Sequence, residues 1–364
     1  MKKLVSLTLA LLIALLALLP AMAEGVPTIR CGVLSMLNMT EEEMANYRQA
    51  RTIIGAQLRK EGLQTNVITQ ILEKGQNGED VNRSRPNVEI VYFDTLDAML
   101  MALNVGDIDS MEMYSTTAQY LLNSNPDLVQ IITVGDGTEG SAFAELALDG
   151  LMSNDFAFLF LEGDVELRDA FDAALASITE AEMNQLIQDN ITAAINGDEV
   201  SPVQMPVIEG AETIKVAVTG ALPPMDYVAA DGTPAGFNTA VLAEISQRMG
   251  KNIELVTVDS LGRAAALSSG IVDAVFWTRT SSQANQIATL SEDERAEGRK
   301  ALEEGMSEEE RETMKRVSEM VDIADYGRVD MPEGTIITRP FFSDTIVAVA
   351  TRAYVDELKA RVNN

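Results

Sequence analysis

The sequence predicts an α/β protein of two lobes, each a mainly parallel sheet flanked by helices, and three observations predict it. The first is an internal echo: Val88-Glu89-Ile90-Val91-Tyr92-Phe93-Asp94-Thr95-Leu96 is matched in character by Ile253-Glu254-Leu255-Val256-Thr257-Val258-Asp259-Ser260-Leu261. Each copy is followed by a helical stretch, a glycine (Gly106, Gly270) and a Gly-x-[Ile/Val]-Asp exit into a second strand, which describes a β-α-β unit. The second is size and apolarity: 364 residues with 46% hydrophobic residues suffice for two cores. The third is the stretch 197–212, with Gly197, Pro202, Pro206 and Gly210 and no periodicity, which reads as a linker between the halves.

Composition excludes several chemistries. With no His, Ser-His-Asp, Cys-His and His-metal sites are impossible, and a single Cys31 closes no intramolecular disulfide and builds no thiolate metal site. A net charge of −29 opposes phosphate backbones and anionic headgroups, so neither nucleic acid nor a lipid surface is an expected partner.

Taken in order, residues 1–23 carry Lys2 and Lys3, an apolar run from Leu9 to Leu19, Pro20 and Ala21-Met22-Ala23, the form of a signal peptide cleaved after Ala23. The expected location is periplasmic or extracellular. Ile29 to Ser35 reads as a strand, and Thr40-Glu41-Glu42-Glu43 as a capping box that opens a helix to about Lys60. Residues 60–86 are a polar excursion. After the first echo come a helix over Thr117–Asn123, a strand over Phe156–Leu161 and helix from Asp164 to about Asn190 in one or two pieces. The lobe at 28–196 ends there.

The lobe at 213–354 opens with the strand Ile214-Lys215-Val216-Ala217-Val218, then turns through Pro223-Pro224 and Asp231-Gly232, after which Asn238 is expected to cap a helix through Met249. Residues 286–332 are a charged helical insertion with capping boxes at Ser291-x-x-Glu294 and Ser307-x-x-Glu310.

The run from Pro223-Pro224-Met225-Asp226-Tyr227 through Asp231-Gly232-Thr233-Pro234-Ala235-Gly236-Phe237-Asn238 resembles the opening of extracytoplasmic solute-binding proteins, family 3, the amino-acid type that serves ABC importers. Gly270-Ile271-Val272-Asp273-Ala274, Thr278-Arg279-Thr280 and Thr338-Arg339-Pro340-Phe341-Phe342 are similar to later parts of that family's first lobe. Gly106-Asp107-Ile108-Asp109-Ser110, Asn125-Pro126-Asp127-Leu128 and Glu162-Gly163-Asp164-Val165-Glu166-Leu167 resemble its second lobe. The resemblance implies a type II periplasmic-binding fold with the lobes exchanged in sequence by circular permutation.

It also implies a non-enzymatic receptor, monomeric and without a cofactor, that takes a small polar, amino-acid-like solute and delivers it to a membrane ABC permease. Ligands of open α/β sheets lie beyond the carboxyl ends of the strands. That places Tyr227, Phe237, Trp277, Thr278, Arg279 and Thr280 from one lobe, and Ser35, Asn38, Tyr114 and Ser115 from the other, as the expected site. Trp277 reads either as a stacking platform or as a core aromatic, and Arg279 either as a carboxylate clamp or as a surface ion-pair partner.

Two departures bear on the ligand. The family's arginine for the α-carboxylate is replaced by Asn285, and its aspartate for the α-amino group by Tyr114. Two rival readings are a relative that acts through protein contacts, and a dehydratase-like enzyme in which Glu112 does acid-base work.

Overall fold

The computed structural model describes residues 28–35, 53, 57, 87–132, 153–229, 231–259, 262–281, 304, 306–320 and 333–363. The signal peptide, the capping boxes at Thr40 and Ser291, the excursion 60–86, Asn38 and Asn285 lie outside the described residues.

Ten strands form one hydrogen-bonded sheet, eight of them in a single path, that divides into two ladders of the same wiring. In the first, β1 (Thr28–Leu34) is parallel to β2 (Asn87–Phe93) on one side and to β3 (Ser110–Tyr114) on the other. In the second, β6 (Thr213–Val218) is parallel to β10 (Asn252–Thr257) and to β11 (Ala274–Ser281). The echoed segments are therefore equivalent edge strands.

The recurrent glycines and exit aspartates have equivalent jobs, while the turns into the two helices are closed differently. Thr95 caps α1 (Leu96–Val105), its hydroxyl accepting the Ala98 N–H at 3.2 Å, and Gly106 ends the helix with φ 81°. In the second ladder the Asp259 carboxylate accepts the Gly262 N–H at 2.6 Å ahead of a short helix over Arg263–Ser268, and Gly270 follows with φ 70°. The exit aspartates stitch strand to strand. The Asp109 carboxylate accepts the Arg30 N–H at 2.7 Å while its own N–H donates to the Arg30 carbonyl at 2.8 Å. Asp273 makes the same reciprocal pair with Lys215, both at 2.8 Å. A carboxylate at that position closes the entry of each third strand onto the first, which is why the sequence repeats it.

Two antiparallel strands exchange between the ladders. β5 (Ser153–Leu161) lies earlier in the chain than the linker yet pairs with β11 and with β12 (Thr335–Ile337) of the second ladder. β13 (Phe342–Thr351) pairs with β5 through Phe342–Thr345, then with β3 and β4 (Leu128–Ile132) through Ile346–Thr351. The two orders are β2-β1-β3-β13-β4 and β10-β6-β11-β5-β12. Both sheets are thus parallel at one edge and antiparallel around the crossing strand.

Alternation along β5 sends Phe156, Phe158 and Phe160 to one face and Leu159 to the other. Phe158 and Phe160 pack edge-on to Phe171 of α3 (Val165–Ser177) at 5.4 and 5.1 Å, and Phe158 stacks on Phe341 at 4.9 Å. Leu159 joins Ala217, Ala266, Leu267, Val272 and Val275 on the opposite side. The helical region expected from Asp164 to Asn190 is α3, then α4 (Glu180–Ile187) opened by a Thr179–Glu182 capping box, a π-turn over Gln188–Thr192 and a last turn over Ala193–Asn196. The expected box at Ser307 opens a helix over Glu308–Met320 with the Glu310 N–H donating to the Ser307 hydroxyl at 3.3 Å.

One expectation is corrected. Asn238 does not cap its helix: the helix runs Phe237–Met249 with Gly236 at the N-cap, and both polar atoms of the buried Asn238 amide have no partner. Gly236 holds φ 102° against the Met225 carbonyl, where an added Cβ would stand 2.6 Å from that oxygen, so the backbone accepts glycine there and Asn238 is drawn inside the helix.

Candidate functional site

The parallel strands β1, β3, β6 and β11 end, and the crossing strands β5 and β13 begin, in one region. Register places three rows of residues across β11, β5 and β13: Ser281, Asn154 and Asp344; Thr280, Asp155 and Ser343; Arg279, Phe156 and Phe342. The first two rows are polar. Behind them β5 and β13 turn apolar as they enter their sheets, so the polar residues gather where the chain passes from one ladder to the other.

Asn154, Asp155 and Asp344 of these rows are buried, Ser343 is exposed, and each of the four makes a hydrogen bond. The Ser343 hydroxyl donates to Asp155 at 2.5 Å, and the Tyr114 hydroxyl donates to the Asn154 carbonyl oxygen at 3.1 Å. Asp344, 7% exposed, accepts the Thr345 N–H at 2.7 Å and the Thr116 N–H at 3.2 Å. Thr116 stands in the first turn of α2 (Ser115–Ser124), whose N-cap, Tyr114, makes no side-chain cap. Burial pushes the Asp344 carboxyl up from 3.8 to about 6, against the opposing pull of its hydrogen bonds.

The loop after β6 adds the second ladder's part. Asp226, 3% exposed, accepts the Thr219 N–H at 2.7 Å, the Thr219 hydroxyl at 2.9 Å and the Gly220 N–H at 2.9 Å. Burial raises its pKa while those bonds oppose the rise. Asp226 thereby folds β7 (Ala221–Leu222) and β8 (Asp226–Val228), which pairs in turn with β9 (Pro234–Ala235), back onto the end of β6. Tyr227 stands in β8, half-buried, with its hydroxyl pKa raised by burial first and by Tyr120 of α2 second. Arg263, 6% exposed, donates to the Phe276 carbonyl at 3.1 Å and braces β11 just before Trp277.

The expected site residues are distributed as follows. Tyr114 and Ser115 stand at the crossing, Ser115 as the first residue of α2 and Tyr114 4% exposed with its ring edge-on to Phe156 at 4.8 Å. Ser35 is buried at the end of β1 and donates to Asp94 at 3.2 Å. Thr278 is buried in register with Ala157, and the backbone of Trp277, Arg279 and Thr280 continues β11. Phe237 is fully buried, 5.1 Å from Phe342, and so packs behind the polar rows rather than beside them. Glu112 is buried within β3, in register with Val33 and Ala348.

Asn154, Asp155, Ser343, Asp344 and Asp226 escaped the sequence reading. A signal was present: Ser153-Asn154-Asp155 and Ser343-Asp344-Thr345 are matching polar triplets ahead of the apolar runs of β5 and β13. The carboxylates here are occupied by backbone and hydroxyl donors, and among the described residues no group of three or more acids or cysteines is placed to hold a metal ion.

Comparison with known proteins adds the following. No curated protein matches the chain. Among solved structures, the ligand-binding component of an ABC-type import system from Staphylococcus aureus, with zinc bound, is similar at 9% identity and TM-score 0.38, over 92% of this chain and 69% of that one. The periplasmic aliphatic sulphonate binding protein SsuA from Escherichia coli is similar at 11% identity and TM-score 0.33, over 93% and 70%. The VFT2 domain of BvgS from Bordetella pertussis gives 10%, 0.35, 93% and 88%. Residues 214–293, which supply β6, the Asp226 loop, β10 and β11, match the family model of the bacterial extracellular solute-binding proteins, family 3.

Proposed function

We propose that the chain is an extracytoplasmic solute receptor of an ABC-type importer, exported with a signal peptide cleaved after Ala23, that captures a small polar solute between its two ladders. One observation carries the reading: the segment that matches the solute-binding family ends its strands at the place where β5 and β13 cross and present two polar rows. Crossing by two antiparallel strands is a hinge in form, since rotation about them opens or closes the space between the strand ends without breaking either ladder. The lobes are 28–196 and 213–354 by sequence, with β5 and β13 exchanged.

In this reading Tyr227, Trp277, Thr278, Arg279 and Thr280 on one side, and Ser35, Asn38, Tyr114 and Ser115 on the other, contact the solute, with Phe237 supporting them from behind. The amino-acid-like class follows from the motif run 223–238, the monomeric state and a permease partner from the resemblance. Circular permutation belongs here too, on the order of the motif runs: those similar to the family's second lobe precede those similar to its first.

The test is a thermal-shift screen of the chain over amino acids, short peptides, polyamines and carboxylates, followed by calorimetry on any hit. A true solute raises the melting temperature by mass action on the folded state, and Arg279→Ala and Tyr227→Ala weaken it. A chain that no class stabilises overturns the receptor reading and favours the relative that acts through protein contacts, for which the replaced anchors Tyr114 and Asn285 are the supporting observation.

A further inference from the structure

We infer that Asp344 is a built-in occupant of the backbone N–H groups at the N-terminus of α2, and that it sets specificity by excluding an anionic group of the solute from those donors. The second half rests on the receptor reading; the first does not.

A helix start offers unpaired N–H groups and a positive dipole end, and a carboxylate is the natural complement. Here α2 begins directly after β3, at the strand ends, and the residue at its N-cap is Tyr114, whose side chain supplies no cap. The carboxylate arrives instead from Asp344, 228 residues away in sequence, by way of the crossing strand β13. It binds the Thr116 N–H at 3.2 Å and the Thr345 N–H at 2.7 Å. Its register neighbour on β5 is Asn154, a neutral group itself held by Tyr114. The other buried carboxylates on the elements packed there are Glu112 of β3 and Asp155 of β5, and Arg279 stands two residues from Asn154's partner Ser281 in register.

Asp344 sits at the junction of β13, where pairing passes from β5 to β3. Burying a carboxylate there is unfavourable unless its donors are well placed. The fold nevertheless keeps it, and the donors it takes are those a bound anion would otherwise take. A solute entering between the ladders therefore meets α2 already neutralised. The group it turns toward α2 is neutral or cationic.

The experiment uses the full chain and acetate as the probe. Asp344→Gly removes a side chain whose shape and charge acetate reproduces. In the variant, acetate is expected to move the backbone amide resonances of Ser115 and Thr116 saturably and to raise the melting temperature, with an affinity at least about tenfold above any effect on the wild type. Equal response of the two proteins, or none in a variant that circular dichroism shows folded, overturns the inference. If Asp344→Gly does not fold, the pH titration of the Thr116 amide decides. It is expected in the wild type and lost in Asp344→Asn, and its absence from the wild type overturns the assignment. Failure of every solute in the screen sinks the receptor reading but leaves the acetate result standing. A solute whose carboxylate contacts the Thr116 amide in the wild type does the reverse.

Discussion

Replacing Asp344 by Asn removes a buried charge while keeping the shape of the side chain, and the stability change is expected to reverse sign with pH. The carboxyl is raised from 3.8 to about 6 in the fold, chiefly by burial. A shift of about two units corresponds to about 3 kcal/mol of differential stability. The folded state binds this proton more tightly than the unfolded state. The stabilising contribution is therefore fully present below the unfolded value and is lost as pH rises through the folded one. Asn at 344 still accepts one of the two N–H groups but turns a donor toward the other, at a cost of about 1 kcal/mol. The variant is thus expected to be less stable than wild type near pH 4 by about 0.5 kcal/mol, and more stable at pH 7 by about 2 kcal/mol. Urea unfolding of both proteins at steps between pH 4 and 7, with equal m-values, measures the difference directly, and other carboxylates cancel from it. Parallel stability curves across that interval would refute the placement of Asp344.

Three further outcomes are expected. Phe158→Ala, which vacates the space between Phe171 and Phe341, should cost about 3–5 kcal/mol in equilibrium unfolding, and a loss below about 1 kcal/mol would deny Phe158 its central place. Gly236→Ala should broaden or shift the resonances of residues 223–238 and lower the melting temperature, because the new Cβ meets the Met225 carbonyl and φ 102° is strained for alanine; an unchanged spectrum counts against this loop geometry. Glu182, held down at about 2 by its bonds to Thr179 and then Arg248, stabilises the start of α4 above its ordinary pKa and loses that effect as pH falls toward 2. The stability difference between wild type and Glu182→Gln should therefore shrink on acidification, and a difference that stays constant between pH 5 and 2 removes the cap from the account.

The resemblance over 223–238 and the echo at 88–96 and 253–261 direct attention to the carboxyl ends of the strands, and Tyr114 and Ser115 stand where β3 meets β13 and α2 begins. Phe237 was legible as apolar but not as core, because a phenylalanine at a strand-end loop looks the same from sequence whether it faces a solute or Phe342. Asn238 was misread as a cap because Asn favours that position, whereas Gly236 alone fits the close approach to Met225 and moves the cap two residues back.

What the amino-acid order determined by itself is local. It includes the β-α-β units, the Thr95 cap, the turn that Asp259 closes on Gly262, and the left-handed Gly106 and Gly270, all closed by hydrogen bonds within a few residues, together with the repeated Asp109 and Asp273 exits as a motif, whose partners Arg30 and Lys215 lie 79 and 58 residues away. Tertiary structure alone decided that β5 leaves the first half to lie between β11 and β12, that β13 returns, and that Asp344 reaches α2. Strand pairing across such distances follows from which faces bury together once the sheets assemble. Hydrophobic periodicity records that a face is buried but not which strand will cover it.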